Sequence, residues 1–201
     1  MTKVTDYIQQ ASGKTLFSLE IIPPLKGQNI EQLFEAIAPL MEFRPPFVDV
    51  TYHREEVVSI TDPDGKVRHI PIRKRPGTVG ICARLMERFK VDAVPHVICG
   101  GFTKEETEDM LFELHYLGIQ NVLVLRGDPE KSVGAFRPKE GGHAYASELL
   151  QQVVDTNRGI LLHEATEATP TDFCIGVAGY PEKHFEATDF DTDFEDLRQK
   201  V

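Results

Sequence analysis

Hydrophobic period in this chain switches repeatedly between strand-like alternation and a helical stripe, and every strand-like run ends in a polar residue or short polar motif. Glu20 closes Leu16-Phe17-Ser18-Leu19-Glu20, and Thr51 closes Phe47-Val48-Asp49-Val50-Thr51. His96 lies in Ala93-Val94-Pro95-His96-Val97, Arg126-Gly127-Asp128 follows Val122-Leu123-Val124-Leu125, and Tyr180 ends the run from Phe173 to Gly179. Helical stripes separate these runs. Ile30, Leu33, Phe34, Ile37, Leu40 and Met41 mark the first, and Met110, Leu111, Leu114 and Leu117 another. Ala146, Leu149, Leu150, Val153 and Val154 repeat the pattern, and Phe194, Leu197 and Val201 begin it again. Strand and helix alternating about five times require right-handed crossovers and a parallel sheet. Such sheets gather their chemistry at the carboxyl ends of the strands.

Turn chemistry supports these boundaries. Thr103 with Glu106 forms a capping box, in which each side chain satisfies a free amide of the first turn, and Gly118 fits the C′ stop. Two segments break the rhythm. Residues 53–76 are an insertion in which Asp62-Pro63-Asp64-Gly65 reads as a tight turn between short strands at Val57–Ile60 and Lys66–Ile72. Residues 156–172 are polar and turn-rich, and read as a connection outside the sheet. The whole of 1–201 is then a single domain with one inserted rim segment.

Strand parity separates the faces. Phe17, Leu19 and Ile21 oppose Ser18 and Glu20, Val48 and Val50 oppose Asp49 and Thr51, and Leu123 and Leu125 oppose Arg126 and Asp128. The apolar set is expected to pack on helices. A doubly wound sheet covers both faces and reads as continuous apolar runs, whereas a barrel admits polar inward positions near its top. Carboxylates at inward positions favour the barrel.

With 22 Lys and Arg against 32 Asp and Glu, the formal charge of -10 argues against a nucleic-acid surface, whose phosphates require a basic field. No apolar run approaches the roughly 20 residues of a membrane span. The polar start at Met1-Thr2-Lys3 lacks a secretory apolar region. Cys82, Cys99 and Cys174 have no motif spacing, and buried reduced thiols are the default for such residues. The reading is a soluble, cytoplasmic globular protein.

Among the strand ends, Glu20 is the strongest chemical candidate. Its neighbours Phe17, Leu19, Ile21, Ile22, Pro23 and Pro24 predict partial desolvation, which raises a carboxyl pKa toward neutrality and suits a general acid. The structural alternative is a Glu that caps a helix or pairs with Arg126. Arg126 and Asp128 place a cation and an anion two apart around a Gly that permits close backbone approach, or they form a plain ion pair. His96, Cys99, Asp128 and His184 admit a metal reading, although no HxH, HExxH or CxxC spacing occurs. That keeps open a metal-dependent barrel hydrolase using His96, Asp128 and His184. No GxGxxG or Walker sequence is present, so any bound nucleotide lies outside a Rossmann loop.

Phe17-Ser18-Leu19-Glu20-Ile21-Ile22-Pro23-Pro24 resembles the F-x-E-[FI]-x-P-P start of the methylenetetrahydrofolate reductase family. Phe47 to Tyr52, Pro95-His96, Leu125 to Asp128, Tyr145-Ala146-Ser147 and Ala178 to His184 are similar to further family segments, in the family's order across almost the whole chain. The resemblance implies a (β/α)8 TIM barrel, of which this chain supplies about the first five β/α units. It also implies FAD as cofactor and reduction of 5,10-methylenetetrahydrofolate to 5-methyltetrahydrofolate by NADH or NADPH in a homo-oligomer. By resemblance, Glu20 is the acid that protonates the folate and opens its five-membered ring. Asp128 lies beside flavin and pterin, and Thr51 contacts nicotinamide and flavin. Tyr52, His96, Arg126, Gly127, Ala146, Tyr180, His184 and Ala187 match FAD-binding positions, and Asp193, Asp196 and Lys200 match the helix that holds the cofactor's adenosine and phosphates. Gln199 stands where many members carry Arg, and the family's later strands, which carry folate contacts, have no counterpart here. The resulting expectation is a fragment of a longer enzyme, or an inactive partner subunit.

Overall fold

The central sheet has five parallel strands whose spatial order follows the chain: β1 (Leu19–Ile21), β2 (Phe47–Val50), β5 (Asp92–Ile98), β6 (Asn121–Leu125) and β7 (Cys174–Val177). The intervening β3 (Glu56–Thr61) and β4 (Val67–Ile72) form a separate antiparallel hairpin. The structure is a computed structural model that describes residues 1–129, 134–164 and 167–201. An order that never reverses has no topological switch point. It therefore differs from a doubly wound sheet and follows the winding of a TIM barrel, as expected.

Register fixes which side chains meet. Ile21 pairs with Val50, Val48 with Ala93, and Val97 with Val124, giving one buried apolar face. Four helices cover it: α2 (Ile30–Ile37), α3 (Thr78–Phe89), α4 (Lys104–Tyr116) and α5 (Ala146–Asn157). Phe34, Cys82, Leu85, Leu111, Leu114, Leu149 and Val153 from these helices are all fully buried in that layer. Each large apolar side chain there contributes about 2 kcal/mol through removal from water. Glu20, Asp49, Val94, His96 and Leu123 alternate with the apolar set and so lie on the opposite face.

Several local expectations are corrected. Leu123 and Leu125 do not face the helices. They share the face of His96, while Val122 and Val124 are the fully buried pair. Four successive apolar residues contain no alternation to read, and Gly127, at φ +84°, turns the chain before parity can be carried to Asp128. Gly176 sits opposite Leu123, where an added Cβ would come 3.0 Å from Leu123 Cδ1. The first strand starts at Leu19, leaving Leu16 and Phe17 exposed, and His96 lies inside β5 instead of at its end. The stripe from Ile30 to Met41 is not one α-helix: Pro39 cannot continue the ladder, and Ala38–Phe43 forms a 3-10 segment. α3 carries the i, i+3, i+4, i+7 pattern Thr78, Ile81, Cys82, Leu85, which directly follows the insertion and was not among the expected helices.

Other expectations match. Thr103 Oγ1 accepts the Glu106 N–H at 3.1 Å, Glu106 Oε2 accepts the Thr103 N–H at 2.7 Å, and Gly118 follows α4 at φ +75°. In the hairpin the Gly65 N–H donates to Asp62 O at 2.9 Å, with Gly65 at φ +81°. The hairpin is tied to the loop after β1, because the Lys26 N–H donates to Lys74 O and the Arg75 guanidinium donates to Pro23 O. Cys82 and Cys99 are buried and free, and Cys174 is free.

A helix at the start of the chain, α1 (Val4–Ala11), was not foreseen. It lies at the amino ends of the strands. Tyr7 Oη and the Thr2 N–H both donate to Asp92 Oδ2, at 2.9 and 2.8 Å. The fully buried Asn121 side chain accepts the Val4 N–H at 2.9 Å and donates to Thr2 O at 3.0 Å. Asp92 and Asn121 open β5 and β6, so α1 closes the end of the sheet opposite the polar strand ends. No helix among the described residues is long and apolar enough to cross a membrane.

Candidate active site

A cleft of about 800 Å³ opens at the carboxyl ends of the strands. Its walls include Glu20 in β1, Thr51 and Tyr52 after β2, His96 in β5, and Arg126, Gly127 and Asp128 after β6. Ala146 at the start of α5, Tyr180, His184 and Ala187 after β7, and Asp193, Asp196 and Lys200 at the last helix complete it. That helix, α6 (Phe190–Arg198), has no buried residue. Every residue matched to a catalytic or cofactor position thus faces one cavity, whereas Cys99 is buried in the core and does not line it.

Glu20 does not sit as expected. Its side chain is 61% exposed, because the flanking apolar residues point to the other face or outward and leave the carboxylate over the cleft. The burial falls on its neighbour. Asp49, its register partner in β2, has a side chain only 19% exposed, and desolvation together with the Glu20 charge pushes its pKa up to about 6. Between them lies His96, 5% exposed, with Nε2 3.7 Å from Glu20 Oε2 and 3.9 Å from Asp49 Oδ1. That nitrogen has no hydrogen-bond partner, and burial lowers the pKa of the ring.

Thr51 Oγ1 donates to Ile21 O at 3.2 Å and lies 3.0 Å from His53 Nε2. The first contact, together with the Thr51 N–H donating to Ile21 O at 3.0 Å, ties the end of β2 to β1. Burial, helped by the Arg75 charge, lowers the His53 pKa. Tyr52 is buried under Phe102, with ring centroids 4.9 Å apart and the Arg73 guanidinium 5.8 Å from its own centroid.

Arg126 pairs neither with Glu20 nor with Asp128. Its guanidinium forks onto Glu186, with Nη1 and Nη2 at 2.7 and 2.9 Å from the two carboxylate oxygens, and lies 5.4 Å over the Phe136 ring. The bond to Glu186 raises the Arg126 pKa and lowers that of Glu186. This pair holds the 180–190 segment against β6. His184 braces the same segment: its N–H donates to Asp193 Oδ2 at 2.9 Å, and its Nδ1 accepts the Glu186 N–H at 3.2 Å. Its ring stacks on Phe185 at 4.7 Å and meets Tyr180 edge-on at 4.9 Å. Lys183, at φ +77°, folds back to donate to His184 O and Ala187 O.

Asp49, His53 and Glu186 were missed as site residues. Alternation placed Asp49 on the polar face, but only the register shows that it adjoins Glu20. His53 was absorbed into the insertion, and nothing in the sequence marks Glu186.

Glu20, the Thr51-Tyr52 pair, the Arg126-Gly127-Asp128 turn and the Tyr180 to His184 segment converge on one opening, in the order of the family pattern. A family model described as methylenetetrahydrofolate reductase matches residues 3–201. This chain belongs to the methylenetetrahydrofolate reductase family.

Relatives agree along the full length of the chain. It is 27% identical to methylenetetrahydrofolate reductase 2 of Saccharomyces cerevisiae over 99% of this chain and 30% of the relative. It is 30% identical to a probable methylenetetrahydrofolate reductase (NADH) of Oryza sativa subsp. japonica over 99% of this chain and 31% of the relative. With the 5,10-methylenetetrahydrofolate reductase of Pectobacterium carotovorum the identity is 28%, over 96% of this chain and 53% of the relative. The chain therefore spans about half of the bacterial relative and under a third of the yeast and rice ones. The metal-hydrolase reading loses its ligand set, because among the described residues no group of three or more His, Cys, Asp or Glu is placed to hold an ion.

The residues present fit an elongated, anionic, partly aromatic cofactor. Ala146 and Ser147 bring the first turn of α5 to the cleft, where amides without a partner favour anions, while the Glu148 carboxylate caps the Ala144 and Tyr145 N–H groups beside them. Lys200 adds a cation, Tyr180 and Phe185 present exposed ring faces, and His96 Nε2 offers an unmet polar atom at the floor.

Proposed function

We propose that this site carries out the reduction of 5,10-methylenetetrahydrofolate to 5-methyltetrahydrofolate with NADH, using FAD as its bound redox cofactor. Bound flavin would supply the hydride chemistry that no side chain of this chain offers. The observation that carries the reading is the placement of Glu20. It is an accessible carboxyl in β1, over a cleft that is also lined by every position matched to cofactor binding.

Each residue has a derived part. Glu20 delivers a proton to a folate ring nitrogen, which opens the five-membered ring for reduction. Thr51, whose hydroxyl donates to Ile21 O, would contact the nicotinamide and flavin from the end of β2. Asp128 is exposed at the mouth after Gly127, and its charge acts on the ring systems without a protein cation in direct contact among the described residues. Arg126 positions the 180–190 segment through Glu186, and so shapes the wall formed by Tyr180 and His184. Lys200 and the amino end of α5 hold the anionic portion. The same reading places the protein in the cytoplasm, working as a homo-oligomer.

The test begins with the purified chain and FAD, followed by absorbance and flavin fluorescence. Uptake of FAD is expected. Glu20→Gln should leave NADH-driven flavin reduction intact while lowering folate reduction by about 10²–10⁴-fold. A chain that takes up no FAD, or equal loss of both half-reactions in the variant, would overturn the assignment.

A further inference from the structure

An exposed carboxyl is a poor store for a proton, yet the proposed role of Glu20 needs one at every turnover. Its surroundings contain a better store. Glu20 and Asp49 stand opposite each other on hydrogen-bonded strands and point to the same face. Two like charges so placed repel, and one shared proton removes the repulsion. Between them is a buried nitrogen with no partner, His96 Nε2, at 3.7 Å from one carboxylate and 3.9 Å from the other. Both distances are about 1 Å beyond a charged hydrogen bond, a gap that rotation of the exposed Glu20 side chain and a small shift of Asp49 can close.

We propose that Glu20 and Asp49 hold one proton between them, with Asp49 its resting holder and His96 Nε2 the group that hands it to Glu20. The handover rests on the acid role given to Glu20 above, whereas the shared proton does not. At rest Asp49 carries the proton and Glu20 is a carboxylate. Asp49 protonates Nε2, and the resulting imidazolium passes that proton to Glu20. Protonated Glu20 gives it to the substrate nitrogen and returns to a carboxylate, which leaves His96 neutral and Asp49 ionised until solvent reprotonates Asp49. Nothing is oxidised or reduced.

The other groups around the pair leave this assignment in place. The Cys82 thiol of α3 feels the Asp49 charge, and His53 acts on His96. Among the described residues no Lys or Arg forms an ion pair with Asp49, so no cation competes for its carboxylate. Burial and the Glu20 charge both favour its protonated form. His96 is neutral at rest because burial opposes its charge, which leaves Nε2 free to accept.

Carboxyl 13C NMR titration of the chain labelled at Asp and Glu, with and without FAD, tests the pair directly. Asp49 is expected to titrate near neutrality, and a matching inflection should appear at Glu20. Glu20→Gln, a change at an exposed position that leaves the fold alone, should lower the Asp49 midpoint by about one pH unit. Asp49→Asn should abolish the shared inflection at Glu20. An Asp49 midpoint that is unchanged in Glu20→Gln would overturn the proposal. In the folate half-reaction, Asp49→Asn should move the alkaline limb to lower pH by about one unit. Asp49→Glu should restore it, and NADH-driven flavin reduction should keep its profile. A limb that stays in place in Asp49→Asn sinks the handover. If the wild-type chain reduces no folate, the functional reading fails, while the titration still decides the proton pair.

Discussion

Glu20 and Asp49 are register partners on adjacent parallel strands, and both carboxylates approach one buried nitrogen, His96 Nε2. The arrangement separates two tasks that a single buried acid would combine: Glu20 reaches the cleft, and Asp49 stays out of water. It also gives the fold a pH response opposite to that of a salt-bridged carboxylate.

The Asp49 pKa rises from 3.8 to about 6 on folding. Between those values the folded state binds more protons than the unfolded state, so stability falls as pH rises through that window and the loss is complete above it. The shift corresponds to about 3 kcal/mol at full size. Asp49→Asn should therefore be more stable than the parent chain at pH 8, by about 2 kcal/mol, with the difference vanishing toward pH 4. Urea titrations at the two pH values measure it.

The fork between Arg126 and Glu186 depends on planar geometry. Arg126→Lys keeps the charge but cannot reproduce two parallel bonds. Both Arg126→Lys and Arg126→Ala should raise the FAD dissociation constant about tenfold, equivalent to about 1.4 kcal/mol, by loosening the Tyr180 to His184 wall. Fluorescence titration with FAD reads this, and a lysine variant that binds as tightly as the parent would show that charge alone suffices.

Gly127 sits at φ +84°, and an added Cβ would lie 3.5 Å from the Ile98 side chain. The space is available and the backbone conformation is not. Gly127→Ala should cost about 1–2 kcal/mol from conformational strain alone, seen as a lower unfolding midpoint.

At the other end of the strands, Asn121 is fully buried and makes two hydrogen bonds to the first residues of the chain. Asn121→Ala should destabilise by about 2 kcal/mol. Amide hydrogen exchange should show the loss of protection concentrated in α1, with the cleft residues little changed.

Much of the architecture was legible because strand ends carry polar residues after apolar runs and helices carry stripes and caps. Thr103 with Glu106, and Gly118 after α4, are local signals that need no tertiary knowledge. What escaped was information held by register or by distant contact. Parity failed in β6 because four apolar residues in a row do not alternate. α1 has no buried residue, and its docking depends on Asp92 and Asn121, far away in sequence. The burial expected for Glu20 came from counting apolar neighbours along the chain. In a strand those neighbours point away, and the burial that matters belongs to the residue across the ladder. Asp49 was visible as a polar alternation and became a partner of Glu20 only when β1 and β2 were paired.

The clasp between α1 and Asn121 has a consequence for how the chain is made. A sheet whose strand order follows the sequence can assemble vectorially, each new β/α unit docking on the one before as synthesis proceeds. Val4, however, waits for a partner 117 residues downstream. The α1 segment, which precedes every strand of the sheet, is therefore fastened only once β6 is in place, so the growing sheet keeps its lower end open until β6 has emerged.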